Sequence, residues 1–322
     1  MTTMRQRSFA GLLTALAIFG LSACGTSNAT AKNATTAGRI PVVANFYPVQ
    51  EAAQRIGGKR VTVSDLTPVG GEPHDLELSP SAVQRLDDAK VVLYMGRGFQ
   101  PQVEEAVRDL PSSTTRVDLL KSVDLLPVEA GLAGTNGKVD GETLQGGVDP
   151  HVWVDPHRFV QIAATVAKTF ERVDPEHAGE YRANLAAYTA ELDRLDRDFA
   201  AALAQCRSRT IVTSHRAFGY FAQRYHLEQV AIAGISPDEE PDPQSLEAVA
   251  AEAKRKHVKV IFFESLVPKK LSETIANEIG ASTDSLNPVE GLTRPQLEQG
   301  LTYEKIQRQN LASLVKGLRC RR

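Results

Sequence analysis

Short β-branched runs alternate with longer amphipathic stretches twice along this chain, and one long helical pattern separates the two sets. In the first set the strand candidates are Ile40-Pro41-Val42-Val43-Ala44, Val61-Thr62-Val63, Val91-Val92-Leu93-Tyr94 and Arg116-Val117-Asp118-Leu119. In the second they are Thr210-Ile211-Val212-Thr213, Val230-Ala231-Ile232, Val258-Lys259-Val260-Ile261-Phe262-Phe263 and Thr283-Asp284-Ser285-Leu286. Runs apolar on both sides and spaced by helices belong to parallel sheets with helices packed on their faces. The expected class is therefore α/β, with two similar parallel-sheet lobes.

Between the sets, Asp174-Pro175 offers an N-cap followed by proline at the first helical position. Tyr181, Leu185, Tyr188, Leu192, Leu195, Phe199 and Leu203 then recur every three or four residues. A helix over 175–204 spans on the order of 45 Å, enough to run along both lobes as a stiff connection. The expected division is a first lobe over 39–174, a linking helix over 175–205 and a second lobe over 206–322.

The start of the chain reads differently. Residues 9–23 form an apolar run behind Arg5 and Arg7, with no acidic residue before it. That is a secretory signal pattern, shorter than the ~20 residues a spanning helix needs. The run ends in Leu21-Ser22-Ala23-Cys24, which resembles the bacterial lipobox. The expectation is a signal peptide over 1–23, lipid on Cys24, and a tether over 24–38 too poor in large apolar residues to fold. The remainder is expected outside the cell membrane, anchored to its outer face. With Cys24 acylated, Cys206 and Cys320 remain of three cysteines, and an oxidising compartment favours a disulfide between them. Lys plus Arg is 37 against 39 Asp plus Glu, so no basic excess exists for nucleic acid. Residues 128–148, rich in glycine and acids, read as a surface loop without histidine.

Of seven histidines, His157, His177, His226 and His257 sit at or near predicted helix ends and read as structural. The other three follow predicted strands: His74 in Gly70-Gly71-Glu72-Pro73-His74-Asp75-Leu76-Glu77, His151 in Asp149-Pro150-His151-Val152-Trp153-Val154-Asp155-Pro156, and His215 in Thr213-Ser214-His215-Arg216-Ala217-Phe218-Gly219-Tyr220. Open α/β sheets bind ligands at the carboxyl ends of their strands. Neutral imidazoles converging there suit zinc, with Asp149 and Asp155 as candidates to orient the rings. Glu264 reads as a cap of the helix that follows it.

The stretches at 71–80, 149–156 and 213–221 resemble the motifs of the cluster 9 metal-binding lipoproteins that feed ABC importers, of zinc type. The likeness runs from Arg39 to the C-terminus. It implies the metal-type periplasmic solute-binding fold: an extracytoplasmic receptor, monomeric and not an enzyme, with one transition metal between the lobes for a permease and its ATPase. His74 and His151 would come from the first lobe and His215 from the second. The nitrogen-rich set favours Zn2+, with Mn2+ as the alternative. The fourth position departs from the family pattern, leaving Glu290, then Asp284, then Asn287 or a water. A metal hydrolase or a surface adhesin are the rival readings, the first weakened by the lack of a His-Glu-x-x-His helix or a Gly-x-Ser-x-Gly elbow.

Overall fold

Each strand set forms its own four-stranded parallel sheet in the computed structural model, which describes residues 38–128, 147–238 and 241–321. β1 (Ile40–Ala44), β2 (Val61–Asp65), β3 (Val91–Tyr94) and β4 (Thr115–Asp118) stand in the order β2-β1-β3-β4. β5 (Thr210–Thr213), β6 (Glu228–Ala231), β7 (Val260–Phe263) and β8 (Ser282–Ser285) repeat it as β6-β5-β7-β8. All eight expected runs are strands, their ends shifted by no more than two residues. The signal segment, Cys24, residues 24–37 of the tether and residues 129–146 of the surface loop lie outside the described residues.

The helices are α1 (Tyr47–Gly57), α2 (Pro80–Asp87), α3 (Pro101–Asp109), α4 (Pro156–Val173), α5 (Ala178–Leu203), α6 (Gly219–Tyr225), α7 (Pro243–Arg255), α8 (Lys270–Ile279), α9 (Arg294–Glu298) and α10 (Tyr303–Gly317). Ser79, Asp155 and Asp242, each just before a proline, accept a backbone N–H from the first turn of α2, α4 and α7. The side-chain oxygen replaces a helical partner that those N–H groups lack, and proline costs no hydrogen bond at the first position.

Alternation along the strands explains why they are apolar throughout. Val42, Ala44, Val91 and Leu93 enter the central core, whereas Val43 and Val92 meet α2 and α3 on the opposite face through Leu86, Val103 and Val107. The second sheet does the same. Ile211, Val260 and Phe262 join the central core, and Val212 and Ile261 pack with Val249, Ala253 and Ile275 of α7 and α8. The central core is continuous across both sheets.

α5 lies along that shared core. Its 26 residues rise about 39 Å. Tyr181, Tyr188, Leu192, Leu195, Phe199 and Leu203 are its buried face, packed on α1 and α4 of one half and on α6 and α10 of the other. The expected start differs. Residues Pro175–His177 form a 3-10 turn, and Asp174 does not cap, because its carboxylate accepts from the Tyr181 hydroxyl and bonds His177 Nδ1.

Cys206 and Cys320 are disulfide-bonded, tying the end of the chain to the segment that follows α5 across 114 residues. The surface loop is closed at its base, where Val128 N–H donates to Gly147 O at 2.8 Å. No helix among the described residues is long and apolar enough to cross a membrane.

Candidate metal centre

Four strand ends deliver four side chains to one point. His74 comes from the loop after β2, His151 from the segment after β4, His215 from the end of β5, and Glu290 from the loop after β8. His151 Nε2 stands 3.3 Å from His74 Nε2 and 3.4 Å from His215 Nε2. Glu290 Oε1 lies 3.2 Å from His215 Nε2, 3.3 Å from His151 Nε2 and 3.6 Å from His74 Nε2. A tetrahedron with bonds of about 2.0–2.1 Å has edges of about 3.3–3.4 Å. Five of the six pairs thus stand at 3.2–3.6 Å, close to those edges, and all four atoms lie within 4.8 Å of one another.

All four side chains are buried. His151 Nδ1 is 2.8 Å from Asp149 Oδ1, which also accepts the His151 backbone N–H at 2.9 Å. His215 is held the same way: Nδ1 is 2.7 Å from Glu264 Oε2, and its backbone N–H donates to Glu264 Oε1 at 3.1 Å. With each Nδ1–H given to a carboxylate, Nε2 is the nitrogen left to face the common point.

The His74 loop is fixed from below. Gln100 Nε2 donates to Pro73 O at 2.8 Å, Asn45 Nδ2 donates to Gln100 Oε1, and Thr67 Oγ1 donates to Asn45 O. Glu72 Oε1 accepts the His74 backbone N–H at 3.1 Å, while its buried Oε2 has no hydrogen-bond partner. Phe99 packs edge-on against the His74 ring at 4.8 Å between centroids.

Glu290 depends on a strained turn. Val289, completely buried, has φ of 65°, a left-handed conformation costly for a β-branched residue. Neighbouring bonds hold it there. Asn287 Oδ1 accepts Val289 N–H at 2.6 Å, Asn310 bonds both the N–H and the carbonyl of Asn287, and Trp153 Nε1 donates to Pro288 O at 2.9 Å.

Charge balance follows from these contacts. Burial pushes the Glu290 carboxyl up, but the charge of His215 and hydrogen bonds with the three imidazoles prevail and hold it well below its ordinary value. Burial pushes His215 down, yet Glu264 and Glu290 hold it well above the ordinary histidine range. Glu72 is pushed up to about 8 by burial and by Glu290.

The other expected residues lie elsewhere or act differently. Asp284 is on β8, where it accepts from Lys316 Nζ at 2.8 Å. Asn287 spends its side chain on Val289 N–H and Ser265 Oγ. Asp155 orients no ring, because it caps α4 and pairs with Arg158 Nη1 at 2.7 Å. Glu264 is not a cap: its two oxygens serve His215, and the residue preceding α8 is Lys269. His226 and His257, with φ of 55° and 53°, close the turns after α6 and α7, and His157 opens α4. Sequence reasoning missed Glu72 as a half-buried neighbour of the cluster, although it stands two residues before His74 in the motif quoted above.

Two matching parallel sheets with a continuous core, a helix along both, and a buried cluster of three imidazoles and one carboxylate drawn from both halves define a two-lobed α/β binding protein. The family described as zinc-uptake complex component A, periplasmic (ZnuA), matches residues 42–317, and the chain belongs to it. A zinc-binding protein AdcA of Streptococcus pyogenes is 32% identical over 295 residues, which are 88% of this chain and 57% of the relative. The chain thus spans a little over half the length of that protein. The high-affinity zinc uptake system protein ZnuA of Bacillus subtilis is 33% identical over 319 residues, covering 97% of this chain and 98% of the relative. Among solved structures, the Zn(II)-bound ZnuA-like domain of Streptococcus pneumoniae AdcA matches with a TM-score of 0.73 at 30% identity, covering 87% of this chain and 99% of that one.

Proposed function

We propose that this protein is an extracytoplasmic receptor that binds Zn2+ through His74, His151, His215 and Glu290 and delivers it to an ABC importer. One observation carries the reading: four buried ligand atoms from four loops lie within 4.8 Å of one another, with five of the six pairs at 3.2–3.6 Å, close to the edges of a zinc tetrahedron. Three imidazoles and one carboxylate favour zinc over manganese, which prefers more oxygen ligands. The zinc named in the family description and in the relatives supports the same choice.

In this reading residues 39–174 and 206–322 are the lobes and 175–205 the strut between them. Cys24 carries the lipid that holds the chain at the outer face of the cell membrane; a relative from Streptococcus pneumoniae is named a zinc-binding lipoprotein. The receptor works as a monomer and presents its loaded face to a permease driven by an ATPase. It performs no chemistry on its cargo. Capture through Nε2 competes with a proton for that nitrogen, so a divalent ion that displaces one proton adds one unit of positive charge at the ring.

Elemental analysis of protein purified without chelator tests this. About one zinc per chain is expected, and none in a His74→Ala, His151→Ala, His215→Ala variant. A wild-type chain that takes up no transition metal when supplied with it ends the reading. Manganese retained in preference to zinc under equal supply replaces the cargo but keeps the receptor.

A further inference from the structure

His74 stands nine residues past the end of β2, whereas His215 stands two past the end of β5. A ligand that far from its strand needs its backbone fixed by other means. The peptide joining Pro73 to His74 is held at both of its polar atoms: Gln100 Nε2 donates to Pro73 O at 2.8 Å, and His74 N–H donates to Glu72 Oε1 at 3.1 Å.

The second of these contacts belongs to a pattern. A carboxylate oxygen accepts the backbone N–H of every imidazole in the cluster: Asp149 Oδ1 that of His151 at 2.9 Å, Glu264 Oε1 that of His215 at 3.1 Å, and Glu72 Oε1 that of His74. For His151 and His215 the same carboxylate also meets Nδ1 of the ring. Glu72-Pro73-His74 and Asp149-Pro150-His151 further share an acid two residues before the ligand with proline between. Proline fixes φ near −65°, which limits how far the acid and the histidine N–H can part.

Glu72 lies outside the group whose ligand atoms converge among the described residues, yet it feels the charges of Glu290, His74 and His215. His74 Nε2 is turned to the common point, 3.3 Å from His151 Nε2, so an acceptor for Nδ1–H would keep the ring from turning away. A carboxyl oxygen accepts an N–H in either protonation state, so the backbone contact does not depend on the charge that Glu72 carries.

We infer that Glu72 is the positioning residue of His74: its carboxylate fixes the backbone of that ligand and aims its ring, as Asp149 and Glu264 do for the other two imidazoles. The inference rests on the receptor reading and deepens it, giving each imidazole a carboxylate of its own.

Competition of the full chain against a chromophoric zinc chelator, together with the visible spectrum of the Co2+-loaded chain, tests it. Glu72→Ala is expected to lose about tenfold or more in zinc affinity, and its Co2+ bands to shift and weaken as His74 leaves the tetrahedral set. Glu72→Asp makes the step at 72–74 the same as the one at 149–151 and is expected to recover both readouts. If circular dichroism shows that Glu72→Ala does not fold, Glu72→Met, which keeps the length of the side chain without its oxygens, takes its place. Zinc affinity within twofold of the wild type in the oxygen-free variant, a loss of affinity with an unchanged Co2+ spectrum, or a Glu72→Asp chain as weak as Glu72→Ala overturns the inference. A wild-type chain that binds neither ion removes the receptor reading beneath it, whereas a wild type that binds both and is matched by Glu72→Ala removes this inference alone.

Discussion

Replacing Glu264 with glutamine isolates the carboxylate that aims His215. Glu264 gives one oxygen to His215 Nδ1–H at 2.7 Å and the other to the His215 backbone N–H at 3.1 Å. An amide has one oxygen and one NH2 group. If its oxygen stays on Nδ1, the NH2 faces a backbone N–H, two donors meeting; if it turns over, the NH2 faces Nδ1. The second arrangement favours the tautomer protonated on Nε2, which is the nitrogen the metal needs. The first arrangement loses a buried hydrogen bond, the second keeps both but protonates Nε2, and in either the imidazole loses the negative charge that raises its basicity. Removal of such a supporting carboxylate typically costs 10–100-fold in metal affinity, or about 1.4–2.8 kcal/mol. Competition against a chromophoric zinc chelator at pH 7.5 measures the change. Asp155→Asn is the comparison, because Asp155 belongs to a matching Asp-Pro step but supports α4 and Arg158 instead of a ring. Zinc affinity of Glu264→Gln within twofold of the wild type, or an equal loss in Asp155→Asn, refutes the orienting role.

Gly219→Ala should weaken zinc about tenfold without touching a ligand, since the new Cβ would stand 2.7 Å from Asp149 Oδ2 and displace the carboxylate that orients His151; an unchanged affinity in the same chelator competition counts against it. Zinc uptake at pH 7 should release close to one proton, measured by calorimetry in buffers of different ionisation enthalpy, because His215 is held well above the ordinary histidine range; a release of zero is the contrary result. The sign for the metal-free chain follows from the same shift: a raised histidine stabilises the fold fully below about 6.5 and loses that contribution as pH rises through its folded value. Metal affinity should therefore fall as pH drops from 7.5 to 5, and equal affinity at the two would argue against imidazole ligation. Cys206→Ser with Cys320→Ser should cost up to about 5 kcal/mol, because the bridge closes a 114-residue loop, and a melting temperature within a degree of the wild type would show that the bridge constrains little.

The strands were legible because each is apolar on both sides, and that pattern has few other outcomes in a chain of alternating helices. The three histidines were legible because each follows a strand in sequence and stands in a motif of its own. Glu264 was not, because nothing local distinguishes a carboxylate that caps a helix from one that turns back toward a neighbouring strand; β5 and β7 are adjacent only in the folded sheet. Asp155 failed for the converse reason. Its Asp-Pro step announces a helix start, and the cap used the carboxylate before any imidazole could. Glu290 was one candidate among three until the turn itself was seen, since its placement rests on the positive φ of Val289 and on Asn310 and Trp153, distant in sequence.

The same long-range bonds limit how the metal can enter. Tyr303 N–H reaches Glu51, the Tyr303 hydroxyl donates to Trp153 O at 2.7 Å, and Gln307 Nε2 donates to Val154 O at 3.1 Å, all from α10 to the first half of the chain. Phe159 and Tyr303 face one another with centroids 4.5 Å apart. Separating the halves would break these bonds and expose large side chains from one continuous core, at about 1.5–3 kcal/mol for each. Several such side chains together would consume most of the ~5–15 kcal/mol that holds a typical domain folded. A wide hinge is therefore the expensive route. The loop after β2 reaches the surface at Asp75, which is exposed, but the His74 ring beside it is 0% exposed and Gln100 Nε2 holds Pro73 O at 2.8 Å, so even this route has to break a buried bond.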